Sequence, residues 1–311
     1  MEANHLAVSI VVCTYNRAGI LMEALEALEN QSADKSLYEV IIVNNNSTDH
    51  TQAVADSFVS RYDNVREVVE YRQGLSYARN RGFREASADW VAYIDDDARA
   101  SSNYVERLMY VIRNYDFDCF GGVYLPWYKY ARPKWFKDHY ASNKGKLSLI
   151  GEVPENAYID GGNCVFKKSL LEKYGGFFPA IGMQGNRISY GEETRLQIQL
   201  KRDGKKIGFD PELIVEHAVV PYKLRTTWYL KAAFSDGIAY WQTFHLEPSP
   251  LKIFRALMST IISPVLLFPG SIKKFSDPEY YIQNLCLDLF TPSAGSLGKV
   301  IGAIKQKEKR K

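Results

Sequence analysis

Three consecutive carboxylates, Asp95-Asp96-Asp97, directly follow the apolar run Trp90-Val91-Ala92-Tyr93-Ile94. The run is short, β-branched and aromatic, with polar residues on both sides, which predicts a buried strand. Three adjacent anions at a strand end repel one another unless a cation is supplied. A hard divalent ion such as Mg²⁺ or Mn²⁺ takes such oxygen donors and can bring a phosphate ligand with it. In extended chain the first and third residues point the same way, so Asp95 and Asp97 can address one site. Taken alone, the triplet also reads as a solvated acidic turn. Two further polar clusters follow apolar runs: Thr14-Tyr15-Asn16-Arg17, and Asn44-Asn45-Asn46-Ser47-Thr48-Asp49. Polar groups gathered at one edge of a sheet are what a nucleotide site needs.

The elements that position these clusters alternate. Strand patterns cover residues 6–13, 40–43, 65–69 and 90–94. Between and after them, Ile20, Leu21, Ala24, Leu25 and Leu28 share one helical face, as do Leu75, Ala78 and Phe83, and Val105, Leu108, Met109 and Ile112. Asp49 with Gln52 is placed to cap the helix that follows the Asn cluster. This order predicts an α/β fold: a mostly parallel sheet flanked by helices, with ligands beyond the carboxyl ends of the strands.

The second half is less regular. Residues 125–140, rich in Trp, Tyr, Lys and Pro, read as a loop or lid. Gly161-Gly162-Asn163 precedes a short strand at 164–166, and Gly175-Gly176 ends a short helix. A flexible loop over 182–189 leads into Gly191-Glu192-Glu193 and a helix through Leu196 and Leu200. Two further strands are expected at 206–209 and 214–220, and helix from Thr226 through Trp241. Residues 253–268 are apolar, interrupted by Arg255 and Pro264; they read as a buried helix pair. A membrane-surface contact, aided by the basic tail 305–311, is the sharper alternative.

Composition narrows the class. The chain has 311 residues, 46% hydrophobic and 24% charged, as a folded globular protein has. A net charge of +3 is too small to argue for nucleic-acid binding. Cys13, Cys119, Cys164 and Cys286 are widely spaced with no CxxC pair, which suits free thiols in a reducing compartment. Residues 1–5 carry no positive n-region of a signal peptide, and no uninterrupted apolar run reaches the ~18 residues of a membrane span.

In order along the chain, these motifs resemble glycosyltransferase family 2, the nucleotide-sugar-dependent enzymes of the GT-A fold. The matching stretches are Val8-Ser-Ile-Val-Val-Cys-Thr-Tyr-Asn-Arg17, Glu39-Val-Ile-Ile-Val-Asn-Asn-Asn-Ser-Thr-Asp49, Gly74-Leu-Ser-Tyr-Ala-Arg-Asn-Arg-Gly82 and Tyr93-Ile-Asp-Asp-Asp97. Gly161-Gly-Asn163, Gly191-Glu-Glu193 and His217 continue the series over roughly residues 6–220. Two departures stand out. The family often has Asp where Asn44 or Asn45 stands, and Glu192-Glu193 replaces its usual Glu-Asp pair. Asn keeps a hydrogen-bonding side chain but loses the charge, which leaves the choice of nucleotide open.

The resemblance implies a GT-A catalytic domain over 1–222, with a nucleotide-binding half at 1–123 and an acceptor half at 124–222, then a helical C-terminal region at 223–311. It implies a nucleotide-diphosphate sugar donor, a glycan or lipid-linked acceptor, an Mn²⁺ or Mg²⁺ cofactor and no nucleic acid. The widely spaced thiols suit a cytoplasmic setting, and the apolar stretch 253–268 with the basic tail suits peripheral contact at the inner face of the membrane. Thr14, Tyr15, Asn16 and Arg17 would hold base and diphosphate. Asn44 and Asn45 would face the ligand, with Ser47, Thr48 and Asp49 capping a helix. Arg79 would pair with Asp95 or Asp96, or contact phosphate. Gly161 and Gly162 would let backbone approach the donor. Asp97, Asp95 and His217 would bind metal, with Asp95 or Asp96 also touching ribose. Glu193, or alternatively Glu192, would act as base in an inverting transfer. Trp127, Tyr128, Tyr130 and Trp135 would wall the acceptor, or simply pack.

Two rivals share these features. A sugar nucleotidyltransferase would use the same sheet and carboxylates, but it needs a Gly-rich basic loop after its first strand, and the loop here has only Gly19. A non-catalytic nucleotide-sugar-binding module has no use for Asp95, Asp97, Glu193 and His217 together. A dehydrogenase is excluded by the lack of GxGxxG after the first strand.

Overall fold

The computed structural model describes residues 6–185 and 187–308; the N-terminal segment 1–5 and the last three residues of the basic tail lie outside them. Its strands are β1 (Val8–Thr14), β2 (Tyr38–Asn44), β3 (Val65–Val69), β4 (Trp90–Asp95), β5 (Ala98–Ala100), β6 (Cys119–Trp127), β7 (Gly151–Glu152), β8 (Asn163–Lys167) and β9 (Ile207–Ala218). The helices are α1 (Ala18–Glu29), α2 (Thr51–Val59), α3 (Leu75–Glu85), α4 (Tyr104–Asn114), α5 (Lys168–Tyr174), α6 (Glu192–Arg202), α7 (Thr226–Thr243), α8 (Pro250–Lys273) and α9 (Ile282–Glu308). The chain divides into two units. One holds residues 1–127, 141–180 and 196–218; the other holds 128–140, 181–195 and 219–311.

The first unit is built on one sheet in the order β3-β2-β1-β4-β8-β6-β9-β5, with β7 on β9. The four strands of the alternating first half pair in parallel. From β8 onward the pairings are mixed: β8 runs antiparallel to both β4 and β6, whereas β6 and β9 are parallel. Helices cover both faces. Ile10, Val12, Val40, Ile42, Ala92 and Ile94 pack under α1, α2 and α4. The alternate residues Val11, Ile41, Val43, Val91 and Tyr93 pack under α3, α5 and α6. This two-sided burial is why β1, β2 and β4 read as unbroken apolar runs.

Three elements differ from the sequence expectation. The stretch before the expected lid is strand β6, and its Leu125, Pro126 and Trp127 extend that strand. Within it, a Cβ on Gly122 would collide with the Leu213 carbonyl and one on Gly121 with the Asn163 carbonyl, so these glycines serve close packing. The two strands expected at 206–209 and 214–220 are one, β9. Its register against β6 jumps between Gly122 and Val123, opposite residues 210–214. There Arg107 grips buried Asp210 with Nε and Nη2 at 2.5 and 2.9 Å, which stabilises a bulge where Asp210-Pro211 suggests a break. Asp49 accepts from the Thr51 N–H at 2.9 Å as expected of a cap, whereas Gln52 turns to Asn44 instead.

The second unit is helical. α7 and α9 approach so closely that a Cβ on Gly237 would strike the Gly295 carbonyl, and one on Gly298 the Phe234 carbonyl. Segment 128–140 is pinned by aromatic contacts of Trp135, Phe136, Tyr140 and Tyr229, and by Asn284, which donates to the Trp135 carbonyl at 2.8 Å. Residues 253–268 do not form a buried helix pair. They belong to the single helix α8, in which only Ala256 and Ser271 are buried. Val265 and Leu266 are 70% and 73% exposed. The stretch Pro250–Ser276 is long and apolar enough to cross a membrane, an 18-residue window within it reaching a mean hydropathy of 1.7 although Ser, Pro and Gly interrupt the apolar run.

Gly298→Ala is expected to lower stability by about 1–3 kcal/mol, because a backbone carbonyl has no rotamer into which to retreat. Gly270→Ala, with nothing near its Cβ, should cost nothing and gain up to about 1 kcal/mol of helix propensity. Thermal or denaturant melts of the two variants check the contrast.

Candidate active site

Asp95 ends β4 while Asp96 and Asp97 form the turn to β5, so the extended-chain argument does not apply to the triplet directly. Asp95 and Asp97 converge nonetheless, and β9 brings in the third member. β5 pairs antiparallel with β9, setting Ala98 opposite His217, and the Ala218 N–H donates to the Asp97 carbonyl at 2.8 Å. One ligand atom from each of Asp95, Asp97 and His217 lies within 4.8 Å of the others. His217 Nε2 is 3.0 Å from Asp97 Oδ1, and Arg17 Nη1 is 3.5 Å from Asp97 Oδ2. Two carboxylates and an imidazole on so small a compass fit a divalent ion of the Mn²⁺ or Mg²⁺ type. Asp96 is buried, and burial pushes its carboxyl up to about 7 against the pull of Arg17.

Arg79 holds Asp95 from behind. Its side chain is only 4% exposed, with Nη2 3.5 Å from Asp95 Oδ1 and donating to the Gly161 carbonyl at 3.0 Å. The guanidinium also lies 5.4 Å from the Phe177 ring centroid, a cation–π distance. Of the two pairings open from sequence, the arginine takes Asp95. Gly161 and Gly162 back onto this pair: a Cβ on Gly161 would come 2.8 Å from Arg79 Nη2, and one on Gly162 would overlap the Asp95 carboxylate. In turn, Gln197 of α6 clasps both backbone polar groups of Ile159, at 2.8 and 2.9 Å, just before this turn. The Asn163 side chain ties three segments together, accepting from Tyr104 Oη at 2.7 Å and donating to the Leu213 and Val123 carbonyls. Sequence reasoning does not single out that side chain. An Asn after two glycines at a strand start is the signal it offers.

The loops after β1 and β2 are zipped together. Asn16, at φ 53°, accepts from the Thr48 N–H at 2.7 Å, and its own N–H donates to Ser47 Oγ at 3.0 Å. The Arg17 N–H donates to Thr51 Oγ1 at 3.1 Å. Thr14 is buried at the end of β1, and Tyr15 is half-buried. Asn44 accepts from the Ser47 N–H at 3.0 Å and donates to Gln52. Asn45 has all four of its hydrogen-bonding sites engaged. It donates to the Glu70 and Arg72 carbonyls and accepts from the Gly74 N–H and Gln73 Nε2. Its side chain therefore clamps the loops after β2 and β3, which corrects the expectation that it faces a ligand.

Glu192 and Glu193 open α6 and group with the second unit. Glu192 is buried and Glu193 half-buried. The four aromatics do not form one wall. Trp127 stacks on Arg99 at 3.5 Å within the first unit, whereas Trp135 is buried among the rings of the second and Tyr130 is exposed.

The sequence pattern of the family described as Glycosyl transferase family 2 matches residues 9–175. A glucosyl-dolichyl phosphate glucuronosyltransferase of Haloferax volcanii is 27% identical over 241 residues, 75% of either chain. A GalNAc(5)-diNAcBac-PP-undecaprenol beta-1,3-glucosyltransferase of Campylobacter jejuni is 27% identical over 202 residues, 63% of this chain and 60% of that one. Among solved structures, the mannosyltransferase PcManGT of Pyrobaculum calidifontis, in complex with GDP-Man and Mn²⁺, superposes with a TM-score of 0.62 at 16% identity. That likeness covers 99% of this chain and 88% of the other, and shows the GT-A fold.

Asp97→Ala should abolish saturable Mn²⁺ binding in a calorimetric titration with a nucleoside diphosphate present, because Asp97 lies at the centre of the trio. His217→Ala should weaken binding by at least about 10-fold. An unchanged titration in both variants would place the ion elsewhere.

Proposed function

The chain belongs to glycosyltransferase family 2, and from that premise we propose that it moves a glycosyl unit from a nucleotide-diphosphate sugar to a hydroxyl of a lipid-linked glycan, inverting the anomeric centre. The observation that carries the donor half is the convergence of Asp95, Asp97 and His217 within 4.8 Å. These residues would hold a divalent cation, which when bound neutralises charge on the departing diphosphate. Arg79 keeps Asp95 in place, and Arg17 adds positive charge beside Asp97. The donor's nucleotide and sugar stay open. Solved relatives are described with GDP-Man and with UDP-GlcNAc.

Single displacement needs a base for the acceptor hydroxyl on the face opposite the leaving group. Our assignment is Glu193. It is the more accessible of the two carboxylates, while Glu192 is 4% exposed and better suited to a positioning role. Both stand in the first turn of α6. Gly191 before them has φ 99°, and a Cβ there would collide with Thr243. The pair is thus presented from a fixed bend.

The lipid-linked acceptor is supported by α8. In a water-soluble helix the apolar stripe faces the neighbour and the polar side faces out. Here Ser259 meets Ser296 of α9 at 3.0 Å, while Phe254, Leu257, Ile261, Val265, Leu266 and Ile272 are exposed. Lipid-exposed helices show this inverted arrangement, with small and polar residues at the helix–helix contact. Residues 256–272 carry no charge and span about 25 Å of helix, short of a hydrocarbon core of about 30 Å. Lys252 and Arg255 flank one end, Lys273 and Lys274 the other. We therefore read α8 as lying in the headgroup region of an anionic leaflet. Cys13, Cys119, Cys164 and Cys286 are all free thiols, which supports the cytoplasmic face.

Glu193→Gln keeps shape and hydrogen bonding but cannot take the proton. Transfer should fall by roughly 10²- to 10⁴-fold with donor and Mn²⁺ binding nearly unchanged. Full activity in Glu193→Gln with a dead Glu192→Gln would exchange the two roles, and full activity in both would remove the carboxylate-base mechanism. In flotation assays the wild type should rise with phosphatidylglycerol liposomes, and the double change Ile261→Glu with Leu266→Glu should stay behind. A wild type that remains monodisperse at the bottom of the gradient at low salt would refute the lipid contact.

A further inference from the structure

We propose that a cleft within the helical unit binds the diphosphate of a prenyl-diphosphate-linked acceptor, together with the first part of its apolar chain; this rests on the lipid-linked reading above. The cleft has a volume of about 340 Å³. Three cations line it, from three separate segments: Arg187 from the stretch before α6, Lys231 from α7 and Lys305 from the end of α9. No carboxylate lines it, and none of the three cations makes an ion pair among the described residues. Lys137, Lys146, Lys206, Lys274 and Arg99 elsewhere on the surface do have carboxylate partners. Cations converging without counter-charge make a site for an anion.

The remainder of the lining is apolar. Lys231, Phe234 and Ile238 recur at i, i+3 and i+7, so one face of α7 presents a charge at one end and a hydrocarbon wall beyond it. Ile188 adds to that wall. A free inorganic anion needs no such wall, and a neutral sugar needs no such charge. A polyanionic head on an apolar tail uses both. The frame is rigid as well: α7 and α9, which supply Lys231 and Lys305, are in direct backbone contact at Gly237, Gly298 and Gly302. The two backbone positions that carry these lysines are therefore held at a fixed separation before any ligand arrives, which reduces the ordering cost of binding.

The test uses the full chain with chelator present, in detergent except in the vesicle arm, so that metal-assisted diphosphate binding at Asp97 is silent. The probe is farnesyl diphosphate, measured by calorimetry, with farnesol, inorganic diphosphate and phosphatidylglycerol vesicles as separate arms. Farnesyl diphosphate should bind one per chain, and at least about 10-fold more tightly than farnesol or inorganic diphosphate. The double change Lys231→Gln with Lys305→Gln should weaken it by roughly 10-fold or more, while Lys231→Arg alone stays near wild type. Equal binding by wild type and double variant, or no binding by either, would overturn the proposal. So would phosphatidylglycerol vesicles displacing the probe fully, because the cleft would then be a general headgroup site.

Transfer assays separate this proposal from the reading beneath it. The double variant should raise KM for a prenyl-diphosphate-linked glycan, and leave KM for the same glycan on a neutral alkyl group unchanged. A wild type that transfers only to neutral glycans, yet binds farnesyl diphosphate through Lys231 and Lys305, would refute the lipid-linked acceptor and keep the cleft. Equal KM changes for both acceptors would refute the cleft alone.

Discussion

Carboxylates crowded at one strand end repel each other, and the first unit is arranged around answering that repulsion. Asp95, Asp96 and Asp97 cannot all be ionised and close without positive charge nearby. Arg79 approaches from α3 and Arg17 from the loop after β1, while His217 brings an imidazole to Asp97 from β9. Each arrives on a different element, so the sheet order that places β1, β4, β5 and β9 also sets the electrostatics. The consequence of imperfect compensation is visible at Asp96, which burial pushes up to about 7.

The same logic governs the loops. Polar residues after β1 and β2 are numerous enough to serve a ligand, yet many of their hydrogen bonds close within the protein. Asn16 and Asn45 are small rigid fasteners between chain segments that no helix or strand connects. A loop fixed in this way presents its remaining groups, such as the Arg17 guanidinium, without having to order itself on binding. Function at such a sheet edge comes from what the fasteners leave exposed.

Much of this was legible in the residues. The alternation of buried runs and helical faces predicts the parallel half, because two-sided burial leaves an unambiguous pattern. The Asp triplet after β4 stands out for the same reason. His217 did not stand out on chemistry alone: β5 is only three residues long, and nothing local says that it pairs with β9. Asn45 reads as a ligand contact because its partners, Glu70, Arg72, Gln73 and Gly74, are remote in sequence. Nothing in the sequence marks Gly122 as a place where a carbonyl presses against the backbone. For α8, periodicity identifies an apolar face but not what covers it, and protein and lipid leave the same imprint in the residues.

The two units are interleaved along the chain, and this bears on how the protein can be made. The first unit is interrupted at 128–140 and again at 181–195, and both inserts group with residues 219–311. During synthesis those inserts leave the ribosome well before the helices with which they associate. Trp135, for instance, waits for Asn284, whose amide caps its carbonyl. Until α9 is complete, an aromatic-rich segment stands uncovered while the sheet can already close, a state open to misassociation. A truncation that removes the last helices would therefore not trim a tail. It would strand two internal segments, and the shortened chain would be expected to collect in aggregates rather than persist as a smaller enzyme.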